Sequence, residues 1–96
     1  MQKTVFLSGE IGNLPDFGRS DFIKWMHTFI DLGYIVLHPG NLPSNLPEEK
    51  YIPIALAMID QADCVFMSPG WANSETAKFE LMYAQHLGKE ILYDVP

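Results

Sequence analysis

A chain of 96 residues with 48% apolar content can bury one hydrophobic core and not two, so a single domain over residues 1–96 is expected. Twelve acidic residues against six basic ones leave a formal net charge of -6, which opposes close approach to nucleic-acid phosphates or an anionic membrane surface. Cys64 is the only cysteine, which rules out an intrachain disulfide and suits a reducing compartment.

Val5-Phe6-Leu7 is a short apolar run that stops at Ser8-Gly9, the pattern of a buried strand feeding a turn. Residues 9–18, "GEIGNLPDFG", are rich in glycine and read as a loop. Ser20 then offers an N-cap with Asp21 in the first turn. Apolar residues at three- and four-residue steps, from Phe22 to Leu32, predict a helix that Gly33 ends. A second strand is predicted over 34–37, closed by His38-Pro39-Gly40-Asn41, and a proline-marked loop follows. A second helix is predicted from about Tyr51 to Gln61, with Pro53 near its start, where proline is tolerated. Residues 64–67 give a third strand, ended by Ser68-Pro69-Gly70. A third helix is predicted from Asn73 or Ser74 to Leu87, stopped by Gly88, and residues 90–93 give the last strand.

Strands separated by helices argue for right-handed crossovers. The expected fold is therefore α/β, a Rossmann-like (flavodoxin-like) three-layer arrangement: a four-stranded parallel sheet of order 2-1-3-4 with helices on both faces. The order reverses between the first and third strands, and ligands in such sheets bind beyond the carboxyl ends of the strands at that reversal. The loops beginning at Ser8-Gly9 and at Ser68-Pro69-Gly70 meet there.

At about 100° per residue, Ala77, Leu81, Ala84 and Gly88 form the sheet-facing stripe of the third helix, and Glu80 lies about 60° from its centre. A carboxylate so placed is partly desolvated, which raises its pKa, while the helix N-terminus favours the anion. It reads either as a working group or as a boundary glutamate paired with Lys78 or a backbone donor. Asn73 and Ser74 read as N-caps or as holders of a phosphate or sugar hydroxyl. Trp71 reads as a base-stacking platform or as a lid over the core. His38 ends the second strand on the same edge and reads as a proton donor or as a loop hydrogen-bonder. Asp63 falls at the opposite edge and reads as a cap or turn residue.

The first loop is neither GxGxxG nor GxxxxGK, and Glu10 within it would repel a phosphate, so no dinucleotide or P-loop site is expected. His27, His38 and His86 have no ligand spacing, so neither a metal nor another cofactor is expected. The N-terminal apolar stretch is too short for a signal peptide, and no segment approaches the roughly 20 apolar residues of a membrane span. A cytoplasmic protein is expected.

"VFLSGEIGNLPDFGRSDFIKWMHTFIDLGYIVLHPGNLP" followed by "ADCVFMSPGWANSETAKFELMYAQHLGKEILY" resembles the nucleoside 2-deoxyribosyltransferase-like superfamily, and in particular a small uncharacterised branch common in bacteriophage and bacterial genomes. The shared motifs are the Ser-Gly turn after the first strand, Gly-Tyr-x-Val-x-x-Pro, Pro-Gly-Trp-x-x-Ser, and a glutamate six residues after that serine. The resemblance implies an N-glycosidic enzyme, either a deoxyribosyltransferase or a hydrolase. Glu80 would be its nucleophile, and Ser8, Gly9, Glu10, His38, Gly70, Trp71, Asn73 and Ser74 would line a nucleoside or nucleotide site.

Three features differ from the transferases. Phe6 stands in the region of a first-strand tyrosine, Ser74-Glu75-Thr76 replaces an Asp and a Gly-Thr pair, and the sequence ends at Asp94-Val95-Pro96, where the transferases carry a further segment. They keep a second reading open, a non-catalytic binder or sequesterer of a nucleotide-derived signal. Phe17, Trp25, Phe29, Phe79, Met82 and Tyr83 exceed what one sheet-facing stripe per helix can use; the last three lie at least about 120° from the third helix's stripe. A homo-oligomer, most simply a two-fold dimer, is expected.

Overall fold

The structure, a computed structural model, describes residues 2–9, 19–39, 42–43 and 45–93, apart from the side chains of 19–22 and 48. Glu10 and Phe17 therefore lie outside the described positions, and the first helix starts at Arg19, so Ser20 stands within its first turn and is not the N-cap expected from the sequence. The elements run β1 (Thr4–Ser8), α1 (Arg19–Asp31), β2 (Ile35–Leu37), α2 (Glu48–Gln61), β3 (Cys64–Met67), a 3₁₀ turn (Trp71–Asn73), α3 (Glu75–His86) and β4 (Glu90–Tyr93). All strand pairs are parallel and the order is β2-β1-β3-β4.

β1 and β3 read as unbroken apolar runs because both faces of each are covered. Val5, Phe6, Leu7, Cys64 and Val65 are wholly inaccessible to solvent. The edge strands β2 and β4 are half-exposed. Gly33 and Gly88 stop α1 and α3 at positive φ (94° and 74°), and the amides of Tyr34 and Lys89 then return to the carbonyls of Phe29 and Ala84.

The two faces are packed differently. Beneath α2 and α3 the cluster is Phe6, Val65 and Met67 of the sheet against Ala55, Ile59, Ala62, Ala77 and Ala84. Alanines at the contact points let two helices share one face at close range. Opposite, α1 alone among the described helices covers Val5, Leu7, Cys64 and Phe66, and does so with Trp25, Met26 and Phe29. The Phe66 ring lies 4.9 Å from both the Trp25 and the Phe29 ring. Trp25 and Phe29 are thus core residues and not part of a surplus apolar face, because a lone helix needs large side chains to span two strands. Tyr83 also leaves that face, its hydroxyl donating to Asp60 Oδ1 at 2.7 Å.

α2 begins at Glu48, three residues before the predicted start. Pro47 is extended (φ -58°, ψ 144°) and its carbonyl accepts from the amides of Lys50 and Tyr51, so the helix is capped without a side-chain signature. Pro53 consequently stands in the second turn, where one ladder bond is lost.

Asp63 is a turn residue, as its position implied. Its amide donates to the Thr4 carbonyl (2.8 Å) and its carboxylate accepts from the Thr4 amide (2.8 Å), closing the amino edge of the sheet. Replacing Asp63 by alanine removes one charge-assisted bond and should cost about 1–2 kcal/mol in urea unfolding with an unchanged denaturant slope. An unaltered midpoint would show that the clamp contributes nothing.

Candidate functional site

β1 and β3 are neighbours whose chains leave the sheet in opposite directions, which opens the crevice at their carboxyl ends. Ser8 and Ser68 close its floor. The Ser68 amide and hydroxyl both donate to the Ser8 carbonyl, at 2.8 and 3.0 Å. Gly9 leaves room for this arrangement, since a Cβ at that position would collide with Ser68 Oγ and displace the hydroxyl from the Ser8 carbonyl.

From the floor the chain turns through Gly70, at φ 86°, into the 3₁₀ turn, where the amides of Trp71, Asn73 and Ser74 donate to the carbonyls of Ser68, Gly70 and Trp71. Ser74 then caps α3, its Oγ accepting from the Ala77 amide at 3.1 Å. Asn73 is exposed beside it. Trp71 is half-buried, rests against the α2–α3 cluster and lies 6.0 Å from the Tyr93 ring. The contact with the core is therefore made, and the other face of the residue's surroundings remains part-exposed.

Glu80 is 2% exposed and belongs to the buried stripe of α3 itself, with Ala77 and Ala84, while Leu81 is only half-buried. The helix is rotated relative to the stripe expected from spacing alone, which brings Glu80 fully onto the sheet. Its Oε1 accepts from Ser8 Oγ at 2.6 Å, and Oε2, equally buried, has no hydrogen-bond partner among the described residues. Lys78 does not neutralise it, since Lys78 Nζ pairs with Glu75 Oε1 at 3.3 Å. Burial pushes the Glu80 carboxyl up from the ordinary 4.5 to about 7, and the Ser8 hydrogen bond pulls the other way.

His38 follows β2 at the same carboxyl edge and is 3% exposed; burial lowers its pKa and so favours the neutral imidazole. Glu10 lies outside the described residues. Ser8 and Glu80 are in direct contact, Gly9 lies against Ser68, and Gly70, Trp71, Asn73, Ser74 and His38 follow strand ends on the same carboxyl edge of the sheet. Among the described residues no group of three or more His, Cys, Asp or Glu side chains is placed to hold a metal ion, and no helix is long and apolar enough to cross a membrane.

One residue at this edge was missed. Tyr51 stands in the first turns of α2 and packs against the cluster that holds Phe6 and Ala77. Its hydroxyl is buried without a partner among the described residues; burial first, and the charge of Glu80 second, push the phenol up. The signal was present in the predicted helix as the spacing Tyr51, Ala55, Ile59, which puts Tyr51 on the buried face.

A family model described as "Domain of unknown function (DUF4406)" matches residues 3–93. The chain belongs to that family. No curated protein matches it. Among solved structures, this DUF4406 chain is similar to a 2-desoxiribosyltransferase from Leishmania mexicana, with a TM-score of 0.77 and 23% identity. The likeness covers 95% of this chain and 63% of that one, so the DUF4406 chain spans less than two thirds of its neighbour's length. At that identity it shows the fold, which is nucleoside 2-deoxyribosyltransferase-like.

The raised carboxyl has a consequence for stability. A group whose folded pKa lies above its unfolded value stabilises the fold while protonated. That contribution is full below about pH 4.5, declines as pH rises and is gone above about pH 7. Glu80→Gln should therefore stabilise the fold at pH 8, by on the order of 3 kcal/mol at about 1.36 kcal/mol per pH unit. The gain should vanish near pH 4. Urea midpoints of both proteins across that range check the sign, and a gain largest at low pH would contradict it.

Proposed function

We propose that the protein acts on the N-glycosidic bond of a nucleoside or nucleotide, with Glu80 as nucleophile. The observation that carries this reading is a buried carboxylate at the switch point, with one oxygen held by Ser8 and the other without a hydrogen-bond partner among the described residues. The shared fold, found also in a 2-desoxiribosyltransferase, supports it.

Glu80 Oε2 attacks the anomeric carbon as the carbon–nitrogen bond breaks, and the bond's electron pair leaves with the base, which takes up a proton. The resulting sugar ester is then opened by a second base or by water. The Ser8 hydrogen bond orients the carboxylate. Ser74 and the Gly70 turn hold the sugar or its phosphate, and Trp71 lies against the base. Glu10 and His38 are the candidates for proton transfer; with its pKa lowered, His38 is better suited to accept a proton than to supply one at neutral pH.

Base release from a panel of nucleosides, deoxynucleosides and their monophosphates tests the reading. Release is expected with at least one substrate, and Glu80→Ala should reduce it by on the order of a thousandfold or more. Equal release by the variant would remove Glu80 as nucleophile. A ligand bound tightly and recovered intact would make the protein a binder instead.

The assembly is part of the proposal. A cavity of about 470 Å³ runs between α2 and α3, lined by Ile52, Leu56, Phe79 and Met82 and reaching Glu80. Phe79 and Met82 are 46% and 66% exposed. A second copy of the chain covers this groove in the form we propose, placing an interface beside the site. Light scattering should return twice the 10.9 kDa chain mass, and Met82→Glu should halve it with the circular dichroism unchanged. A monomer mass for the unaltered protein would refute the dimer.

A further inference from the structure

The carbonyl of Ser8 is the last point at which the sheet grips β1, and two bonds reach it from one residue. The Ser68 amide donates to it at 2.8 Å, as the parallel ladder requires, and the Ser68 hydroxyl donates to it again at 3.0 Å. A carbonyl oxygen has two lone pairs, so both are taken. The second bond is not needed to satisfy the group. It pins the peptide plane before Gly9, a residue type whose backbone is the least restricted of all, and room for the hydroxyl exists because residue 9 has no Cβ.

The α-carbon that leads into this carbonyl also bears the hydroxyl that holds Glu80. Ser8 Oγ donates to Glu80 Oε1 at 2.6 Å, and a short bond to a carboxylate weakens steeply with distance and angle. Fraying of β1 from its carboxyl end would carry Oγ away from Glu80. Ser68 is placed to prevent that, and it is also where the turn begins, since its carbonyl accepts from the Trp71 amide at 3.2 Å. A continuous run of bonds thus leads from the turn, through Ser68 and Ser8, to Glu80. Ser68, Ser8 and Glu80 are all buried.

We propose that Ser68 is a positioning residue: its hydroxyl fixes the end of β1 so that the Ser8 hydroxyl stays within hydrogen-bond range of Glu80. The inference rests on the reading of Glu80 as the working carboxylate of this crevice. It gives the turn after β3 a share in setting the state of that carboxylate. Around the Ser8–Glu80 bond, α2 presents Tyr51 to the shared core, α3 carries the Glu75–Lys78 pair at its surface, β3 presents Val65 and Met67, and His38 follows β2 on the same edge. A substitution at position 8 or 68 leaves all of these in place.

The test follows the Glu80 carboxyl by carbon NMR on glutamate-labelled protein, the resonance being assigned with Glu80→Gln. The Ser8 bond favours the ionised form, so loosening it should raise the titration midpoint. Ser8→Ala should raise it by about one unit, a tenfold gain in proton affinity. Ser68→Ala should raise it by about half a unit, a gain of roughly threefold. Ser68→Cys, of similar shape but a weak donor, should act in the same direction. In a Ser8→Ala background neither Ser68 variant should move the midpoint further, because the bond through which Ser68 acts is gone. A serine that only supports the turn would lower the urea midpoint and leave the titration where it is. Unchanged titration in both Ser68 variants therefore overturns the proposal, as does a shift of equal size in the Ser8→Ala background, and the cysteine variant decides if the alanine variant does not fold. No substrate enters this measurement. A shifted midpoint without base release would retain Ser68's role and remove the glycosidic reading, whereas base release with a fixed midpoint would do the reverse.

Discussion

The hydrogen bond from Ser8 Oγ to Glu80 Oε1 joins the end of the central strand to the middle of α3, across 72 positions of sequence. It lies inside an otherwise apolar layer, and that location gives it weight. A carboxylate buried among Phe6, Met67 and alanines pays a large desolvation cost when ionised, and one hydroxyl donor offsets only part of it. The residual cost appears as a proton affinity displaced to near neutrality. Such a group is poorly suited to a structural role, because an amide or an apolar side chain would satisfy the same position more cheaply. It is well suited to exchange between charged and neutral forms at ordinary pH.

The rest of the site follows from keeping that bond short. Ser8 must end β1 at a fixed height, and it does so because its carbonyl takes two hydrogen bonds from Ser68 at the end of β3. Gly9 permits that approach by having no side chain in the space Ser68 Oγ occupies. α3 must lie close enough for a glutamate to reach the strand, and Ala77 and Ala84 above and below Glu80 allow this. The choice of alanine on one face of the sheet and of Trp25 and Phe29 on the other is thus one decision about helix distance: near where a polar bond has to be made, far where a lone helix has to cover two strands.

The strand order and the helix stops could be read in the sequence because they depend on local chemistry: runs covered on both faces, and glycines at positive φ. Glu80 was visible for a similar reason, a charged residue near a stripe of small ones. Other features depend on non-local facts. The start of α2 is set by the backbone carbonyl of Pro47, which any residue could supply, so no residue type announces it. The place of Trp25 and Phe29 in the core depends on how many helices cover each face, a property of the whole sheet that periodicity within one helix does not contain. Ser8 was recognised as a turn residue at the right edge, but its partnership with Glu80 required the rotation of α3 that only packing determines.

The two edges of the sheet differ in how completely their polar groups are satisfied. At the amino edge, Thr4 and Asp63 exchange two hydrogen bonds, Gln2 donates to the Gly33 carbonyl, Lys89 donates to the Asp60 carbonyl and Tyr83 donates to the Asp60 carboxylate. Those bonds tie β1, α1, α2, α3 and β3 together where no ligand is expected. At the carboxyl edge, the buried Glu80 Oε2 and Tyr51 hydroxyl lack partners among the described residues. The carboxyl edge is where the strand order reverses and crossover geometry opens a crevice, so the bonds that tie the elements together at the amino edge stand apart from the end at which ligands bind in sheets of this kind.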